Sequence, residues 1–535
     1  MSLTKSLTSN IVSAWDDLNS RLARVNPVWL VAGSVGGTVV LLKVRKIWRR
    51  SDRPLHKRTV TYAFSWICCL PWVRRKIEKE LAQTKASLER TIHSCDEKLV
   101  FLKEIPHEPI SHAQIIAVAE EYQAMNKQFD YIAGRVSGAV YTNLAEDHIE
   151  VLTEVFKRYA FSNPLHPDVF PGCRKMEAEV IRMVANLFHG PPESCGTMTS
   201  GGTESLILVC LASRNRAIAK GIDEPVIVVP VTAHAGFDKA ASLLGIRIRH
   251  VPVDPVTSEV DIVGSAPNFP FGTVDNIPAI AKIGEQRGIP VHVDCCLGGF
   301  LVAFAEEADI QVPVFDFRLP GVTSISCDTH KYGYAPKGTS TILYRSAEFL
   351  HHQYFSVTEW PGGIYATPTL AGSRAGLNIA LTWATLLHFG RGEYVSRARK
   401  ITAATRQLAD AIAKVPGLEV VGRPDVSVVA FRSPDVNIYA VGDKLNKLGW
   451  NLNTLQMPDS IHFCLTYNQA SDEVITGFVN DLKFVTEEVA KLEDKGKDSH
   501  TAAIYGMAAQ IPDKSLVDEV AYLYLDSCYA MPAKE

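Results

Sequence analysis

The chain lacks an excess of charge of either sign: 55 Lys and Arg stand against 58 Asp and Glu in 535 residues. A protein that neutralises many phosphates needs a broad basic surplus, so a nucleic-acid binder is excluded. It also lacks a CxxC pair among its 11 cysteines. Cys68-Cys69 and Cys295-Cys296 are adjacent, which suits neither a disulfide between neighbours nor a zinc knuckle. Reduced thiols facing the cytosol are the reading, and no metal site is expected. Repeats and low-complexity segments are absent. With 47% apolar residues, the length allows two or three domains around a sizeable core.

No uncharged run is long enough to cross a membrane unaided. Val28 to Leu42 reads VWLVAGSVGGTVVLL, about 22 Å as a helix against a hydrocarbon core of ~30 Å. Counted from Trp29 to Trp48 the helix reaches about 28 Å, with a Trp near each interface and Lys43, Arg45 and Lys46 placed to snorkel. Arg49, Arg50, Arg53, Lys57 and Arg58 follow, opposed by Asp52 alone. A signal peptide would carry its positive charge before the apolar run. We therefore expect a membrane anchor at residues 28–48. The positive-inside rule puts residues 1–27 across the membrane and the bulk of the chain in the cytosol. Gly33 and Gly37 form a GxxxG pair, a weak packing signal. Residues 49–144 read as a basic linker and a helical segment, with a charged helical pattern from Arg75 to Lys103. Within it Tyr62 to Val73, YAFSWICCLPWV, is short and holds Pro71, so it should lie at the membrane surface or against the enzyme body.

From residue 145 to 375 helical periods alternate with short apolar strands: Pro225–Val231, Ile289–Asp294 and Val322–Ser326. Such alternation predicts an α/β fold, a mostly parallel sheet sandwiched by helices, with the ligand site at the carboxyl ends of strands. Residues 376–535 read as a smaller C-terminal α+β domain. Its helix should run from Tyr394 to Val415, with strands near Leu418–Val421 and Ile461–Leu465.

Several strand ends carry chemistry. Ser200, Gly201, Gly202 and Thr203 open an apolar helical run, so glycines, hydroxyls and free helix N–H groups form a candidate phosphate cradle. The Walker lysine is missing, and a simple capped helix start would look the same. Asp294 ends a strand with no charged neighbour, and a buried carboxylate needs a partner such as a protonated ring nitrogen. His234, just past another strand, could cap a helix or lie flat on a ring. The pair His330-Lys331 follows a third strand in SISCDTHKYGYAPKG. A cradle, a carboxylate, a stacking imidazole and a lysine amine together describe one cofactor, pyridoxal 5′-phosphate.

At these residues the chain resembles the pyridoxal-phosphate group II decarboxylase family, and within it the lyase branch that acts on phosphorylated sphingoid bases. The resemblance rests on SGAVY, NPLHPDVFPG, TSGGTES, AHAGFDKAAS, HVDCCLGGFL, DTHKYGYAPKG, GGIYATPTLAGSRAG and AAIYGMA, spanning Ser137 to Ala508. It implies a fold-type-I homodimer, anchored by a single helix in the endoplasmic reticulum membrane with its catalytic domain in the cytosol. The implied activity is that of a carbon–carbon (aldehyde) lyase. It cleaves the C2–C3 bond of phosphorylated sphingoid bases to a long-chain aldehyde and phosphoethanolamine. By matching position Lys331 would be the Schiff-base lysine, with His330 beside it, Asp294 the ring-nitrogen partner and His234 the stacking residue. Ser200, Gly202 and Thr203 would hold the cofactor phosphate, helped by Gly372 and Ser373 from the partner subunit. Tyr141, His166 and Lys337 would meet the substrate phosphate. Three positions depart from the family pattern: Cys295 is expected against the cofactor ring opposite His234, Cys327 replaces Ala, and Phe271 stands where relatives often have His. The base for the C3 hydroxyl is left open among Lys331, Tyr332, Tyr334 and a phosphate oxygen. An amino-acid decarboxylase would use the same cofactor residues, and a silent membrane scaffold would have no reason to keep them.

Overall fold

A computed structural model describes residues 66–96, 101–127, 129–254, 264–493 and 514–531, with a few isolated positions besides. The expected anchor at 28–48 lies outside them save for three positions, and AAIYGMA lies outside them entirely. Among the described residues no helix is long and apolar enough to cross a membrane. The N-terminal charged pattern forms a helix over Pro71–Ile92, shorter at its far end than the pattern predicted. Trp66 and Trp72 are exposed.

Strands β1 (Cys195–Thr199), β2 (Val226–Pro230), β3 (Arg247–Val251), β4 (Gly264–Ser265), β5 (Val291–Asp294), β6 (Val322–Cys327) and β7 (Ser340–Tyr344) build the central part. Five of them form one sheet in the order β1-β7-β6-β5-β4. The pairs β4/β5 and β5/β6 are parallel and β7 runs antiparallel to both its neighbours, so β1, β4, β5 and β6 share one direction and the sheet is mostly parallel, as expected, with β7 alone reversed. The physical reason is local. The segment 328–339 forms no helix to cross over the sheet, and the chain turns straight back along β6. Strands β2 and β3 form a separate parallel pair.

The pleat of β7 shows how the layers are joined. Ile342 and Tyr344 face a cluster that includes Leu206, Leu208, Val229 and Phe237, from the helix Gly202–Ala219, β2 and the helix Gly236–Leu244. Leu343 faces the larger core with Val184 and Ile379, from the helices Pro171–Leu187 and Gly376–Ile412. Each fully buried Leu, Ile or Phe contributes roughly 1.5–3 kcal/mol, so the register of β7 is firmly set. The long helix starts earlier than the predicted Tyr394 and is interrupted at Gly390, whose φ of 59° is outside helical space.

The C-terminal region has the predicted α+β character. Strands β10 (Glu419–Val421), β11 (Val428–Arg432), β12 (Asn453–Leu455) and β13 (Ser460–Cys464) form an antiparallel sheet in the order β10-β11-β13-β12, while β8 (Phe355–Val357) and β9 (Tyr365–Thr367) pair apart. Its core is aromatic: Phe478 packs 4.8 Å from Phe463 and 5.1 Å from Trp450, centroid to centroid. One core cluster holds buried residues from Tyr141 to Val489, tying this sheet to the large one.

Candidate active site

The β6–β7 turn delivers the reactive amine. Lys331 Nζ lies 2.9 Å from Asp328 Oδ2, and the aspartate is almost wholly buried. Burial by itself would lower the amine, but the Asp328 carboxylate outweighs it and holds Lys331 above the usual lysine range. The same pair holds Asp328 below the usual carboxylate range against the opposing effect of burial. His330 Nδ1 accepts the Thr339 N–H at 3.1 Å, which leaves its Nε2 3.6 Å from Asp328 Oδ2. Burial lowers the His330 imidazole in spite of that carboxylate.

The turn after β1 meets this group. Gly201 takes φ 156° and ψ 167°, a region essentially restricted to glycine, and the helix begins at Gly202. A Cβ on Gly202 would fall 2.9 and 3.0 Å from the two Asp328 oxygens and 3.0 Å from Cys296 Sγ, so only glycine lets the turn close. Ser200 donates to Glu204 Oε2 through both its N–H and its hydroxyl, each at 2.7 Å. A cleft of about 310 Å³ is lined by residues 200–204, His234, Cys296, Asp328, His330 and Lys331. Of the residues named from the sequence, Ser200, Gly202, Thr203, His234, His330 and Lys331 therefore meet in one place. His234 also accepts the Gly236 N–H on Nδ1 at 3.0 Å, so its helix-start contact and its place at the cleft coexist.

Asp294 sits at the end of β5, 8% exposed. Its Oδ1 accepts the Cys296 N–H at 2.9 Å and the Ser326 hydroxyl at 3.2 Å. Parallel pairing sets Asp294 opposite Ser326, so the strand register builds this contact.

A second cleft, of about 650 Å³, shares Ser200, Thr203 and Glu204 with the first and adds Lys239, Ser373, Arg374 and Asn378. Ser373 thus borders the cleft of its own chain, its hydroxyl 3.0 Å from Asn163 Nδ2. Gly372 packs instead against the Tyr365 hydroxyl. Arg374 is braced by a two-point pair with Glu177, at 2.5 and 2.9 Å.

Of the three residues expected at a substrate phosphate, two meet. Lys337 Nζ stands 4.8 Å over the Tyr141 ring, and that ring meets Tyr332 edge-on at 4.8 Å. Burial, and then the Lys331 charge, lower the Lys337 amine. His166 lies exposed on the turn before Pro167 and lines neither cleft.

Three expectations are corrected. Cys295 points into the core, fully buried beside Cys327, whereas Cys296 lines the cleft. Burial pushes all three thiols well above the usual range, which argues against ready reaction with thiol reagents. Tyr334 is no candidate base: it takes φ 60°, stacks on Tyr394 at 5.9 Å and lies under Arg397, deep in the core. The Tyr332 hydroxyl is committed to the Leu465 carbonyl at 2.5 Å, and burial raises the phenol well above its usual range. Lys331 is the one of these three side chains that lines the cleft. Phe271 is buried with Val421, Ala430 and Leu455. Asp328, Ser326, Cys296 and Glu204 were not singled out from the sequence.

The set fits pyridoxal 5′-phosphate. It combines a turn that a single Cβ would block, a lysine amine held by one carboxylate, and a second carboxylate at the next strand end. Asp328 Oδ1 is also buried without a hydrogen-bond partner, a polar atom left over beside the cradle.

A family model for the pyridoxal-dependent decarboxylase conserved domain matches residues 138–434. A sphingosine-1-phosphate lyase of Drosophila melanogaster is 44% identical over 500 residues, covering 90% of this chain and 91% of that protein. Sphingosine-1-phosphate lyase 1 of Rattus norvegicus is 40% identical over 529 residues, covering 96% and 92%. Among solved structures, a Burkholderia pseudomallei sphingosine-1-phosphate lyase superposes with a TM-score of 0.70 at 36% identity, covering 79% of this chain and 97% of that one. A Lactobacillus brevis glutamate decarboxylase, at 19% identity and a TM-score of 0.62 over 75% of this chain and 98% of that one, shares the fold.

Proposed function

The chain belongs to the sphingosine-1-phosphate lyases, within the pyridoxal-dependent decarboxylase family, and on that premise we propose how its residues divide the work. The reaction is cleavage of the C2–C3 bond of a phosphorylated sphingoid base to a long-chain aldehyde and phosphoethanolamine. The C3 hydroxyl loses its proton as the bond breaks, C3 leaves as the aldehyde, and C2 gains a proton. Pyridoxal 5′-phosphate, when bound, supplies an aldehyde to hold the substrate amine and a protonated ring to take up the electron pair left on C2.

Lys331 would hold the cofactor aldehyde, Asp294 the ring nitrogen and His234 a ring face. Ser200, Gly202 and Thr203 would hold its phosphate, with His330, Gly372 and Ser373 completing the set. With its amine 2.9 Å from Asp328 and lining the cleft, Lys331 would also be the side chain to move the C3 and C2 protons. Lys337 and Tyr141 present a cation and a phenol to the substrate phosphate, and His166 joins them in a homodimer whose sites are shared between subunits. Residues 28–48 anchor the enzyme by a single helix in the endoplasmic reticulum membrane, with residues 1–27 lumenal and the catalytic part cytosolic. The basic run after the apolar segment supports that orientation.

The observation that carries the reading is the meeting of Lys331, Asp328 and the Gly202 turn in one cleft, with Asp294 on the adjoining strand. Purified protein given a phosphorylated sphingoid base should release long-chain aldehyde, and Lys331→Ala should not. Carbon dioxide released from an ordinary amino acid at a comparable rate would instead make it a decarboxylase.

A further inference from the structure

His292 lies two residues before Asp294 on β5, and nothing in the reaction outlined above uses it. Its ring is nonetheless held at both nitrogens: Nδ1 is 2.9 Å from Ser324 Oγ and Nε2 is 3.1 Å from Ser326 Oγ. Phe237, which opens the helix after His234, meets the ring edge-on at 6.1 Å. Counting protons fixes the directions. A carboxylate accepts only, so the single Ser326 proton goes to Asp294 Oδ1, at 3.2 Å. Ser326 Oγ must then accept from His292, which places the imidazole proton on Nε2 and makes Nδ1 the acceptor for Ser324. The Cys296 thiol, at 3.2 Å, takes the remaining lone pair of Ser326.

The alternative tautomer would turn the Ser326 proton toward the ring and leave Asp294 Oδ1 with the Cys296 N–H alone. Burial draws the imidazole down to about 4, so the ring stays neutral through the physiological range and the proton directions do not change. Both donors to Asp294 fall on Oδ1, which leaves Oδ2 for the ring nitrogen.

We propose that His292 and Ser326 form a positioning chain: His292 commits the Ser326 hydroxyl to Asp294 and so fixes the orientation in which that carboxylate meets the cofactor ring. The proposal rests on the assignment of Asp294 to the ring nitrogen. It treats His292 and Ser326 as positioning residues, since neither lines the cleft.

The test uses holoenzyme for kinetics and cofactor-stripped protein for titration with pyridoxal 5′-phosphate. Ser326→Ala removes the link with almost no change in packing. His292→Leu removes the donor, and His292→Gln returns an N–H near the Nε2 position. Ser326→Ala and His292→Leu should each lower kcat about tenfold, roughly the worth of one hydrogen bond to a charged group. KM should change little, and the cofactor Kd should rise by a similar factor. His292→Gln should recover most of both. In an Asp294→Asn background neither change should lower kcat further, because the chain then ends on a group already lost. Wild-type kcat and Kd in Ser326→Ala, additive losses with Asp294→Asn, or His292→Gln as impaired as His292→Leu would each overturn the proposal. Should His292→Leu fail to fold, Ser326→Ala decides alone. A wild-type protein that takes up no cofactor would instead refute the reading of the site itself.

Discussion

Replacing Asp328 by Asn should make Lys331 more reactive toward the cofactor, not less. In the native chain the carboxylate lies 2.9 Å from Lys331 Nζ and keeps it an ammonium, whereas capture of an aldehyde needs the neutral amine. A hydrogen bond between charged groups is worth roughly 1.5–3 kcal/mol. At about 1.4 kcal/mol per pH unit, removing it lowers the amine by about one to two pH units. Burial, which already acts downward on Lys331, is then opposed by the weaker pull of Asp294. Stability should respond in a linked way. Because the folded-state value is raised, the pair's contribution is fully present below the ordinary lysine range and is lost as pH rises through the raised value. The variant should therefore be less stable than wild type at neutral pH, and the gap should close in strong alkali and also in acid, as pH falls through the lowered Asp328 value. The assay is the rate at which cofactor-stripped protein takes up pyridoxal 5′-phosphate, followed by absorbance over a pH series. The midpoint should move down, and the rate at neutral pH should rise about tenfold to a hundredfold. Pyridoxine 5′-phosphate, which has no aldehyde, measures docking alone and corrects for the charge removed beside the Gly202 turn. A midpoint that stays put, or moves up, would show that Asp328 does not control the amine.

Lys337→Ala should lower kcat/KM for the phosphorylated base about tenfold to a hundredfold, leaving turnover of the unphosphorylated base almost unchanged. Since burial and Lys331 depress the Lys337 amine, its cation is lost earlier as pH rises. The alkaline fall of wild-type kcat/KM should thus begin below the ordinary lysine range and be absent from Lys337→Ala. If the sites are shared between subunits, mixing Lys331→Ala with Ser373→Ala should restore part of the activity in heterodimers. Failure to do so, with both variants dimeric and exchanging, would leave Ser373 serving its own chain. Removal of residues 1–58 should give a soluble enzyme that still cleaves detergent-dispersed substrate. A truncated protein that stays with membranes would assign the attachment to the segment that displays Trp66 and Trp72.

What could be read from the sequence follows from how local each cause is. Asp294 ends one strand made by a short apolar run and His330 and Lys331 closely follow another, and a strand end is set by its own residues. The direction of β7 was not legible, because a twelve-residue turn rich in Gly, Pro and Tyr joins strands of either sense equally well on paper. Asp328 could not be singled out either. Its importance comes from the Gly202 turn, far away in the chain, whose missing Cβ leaves the space that its oxygens occupy.

The cysteine pair shows where pattern reasoning stops. A two-residue alternation carried past Asp294 gives no reason to prefer Cys295 or Cys296 for the cleft, since the strand has ended. What decides is a single hydrogen bond. The Cys296 N–H returns to Asp294 Oδ1 at 2.9 Å, an Asx-type turn that swings Cys296 outward and leaves Cys295 in the core. Tyr334 inverts the same lesson, for a loop tyrosine reads as exposed until φ 60° sends its ring back onto Tyr394. In each case the deciding contact is made by a backbone that has left regular structure. The residues next to a catalytic strand end are thus the ones whose facing depends on a few polar contacts. They are also the ones in which a change of sequence can retune the site without disturbing the sheet.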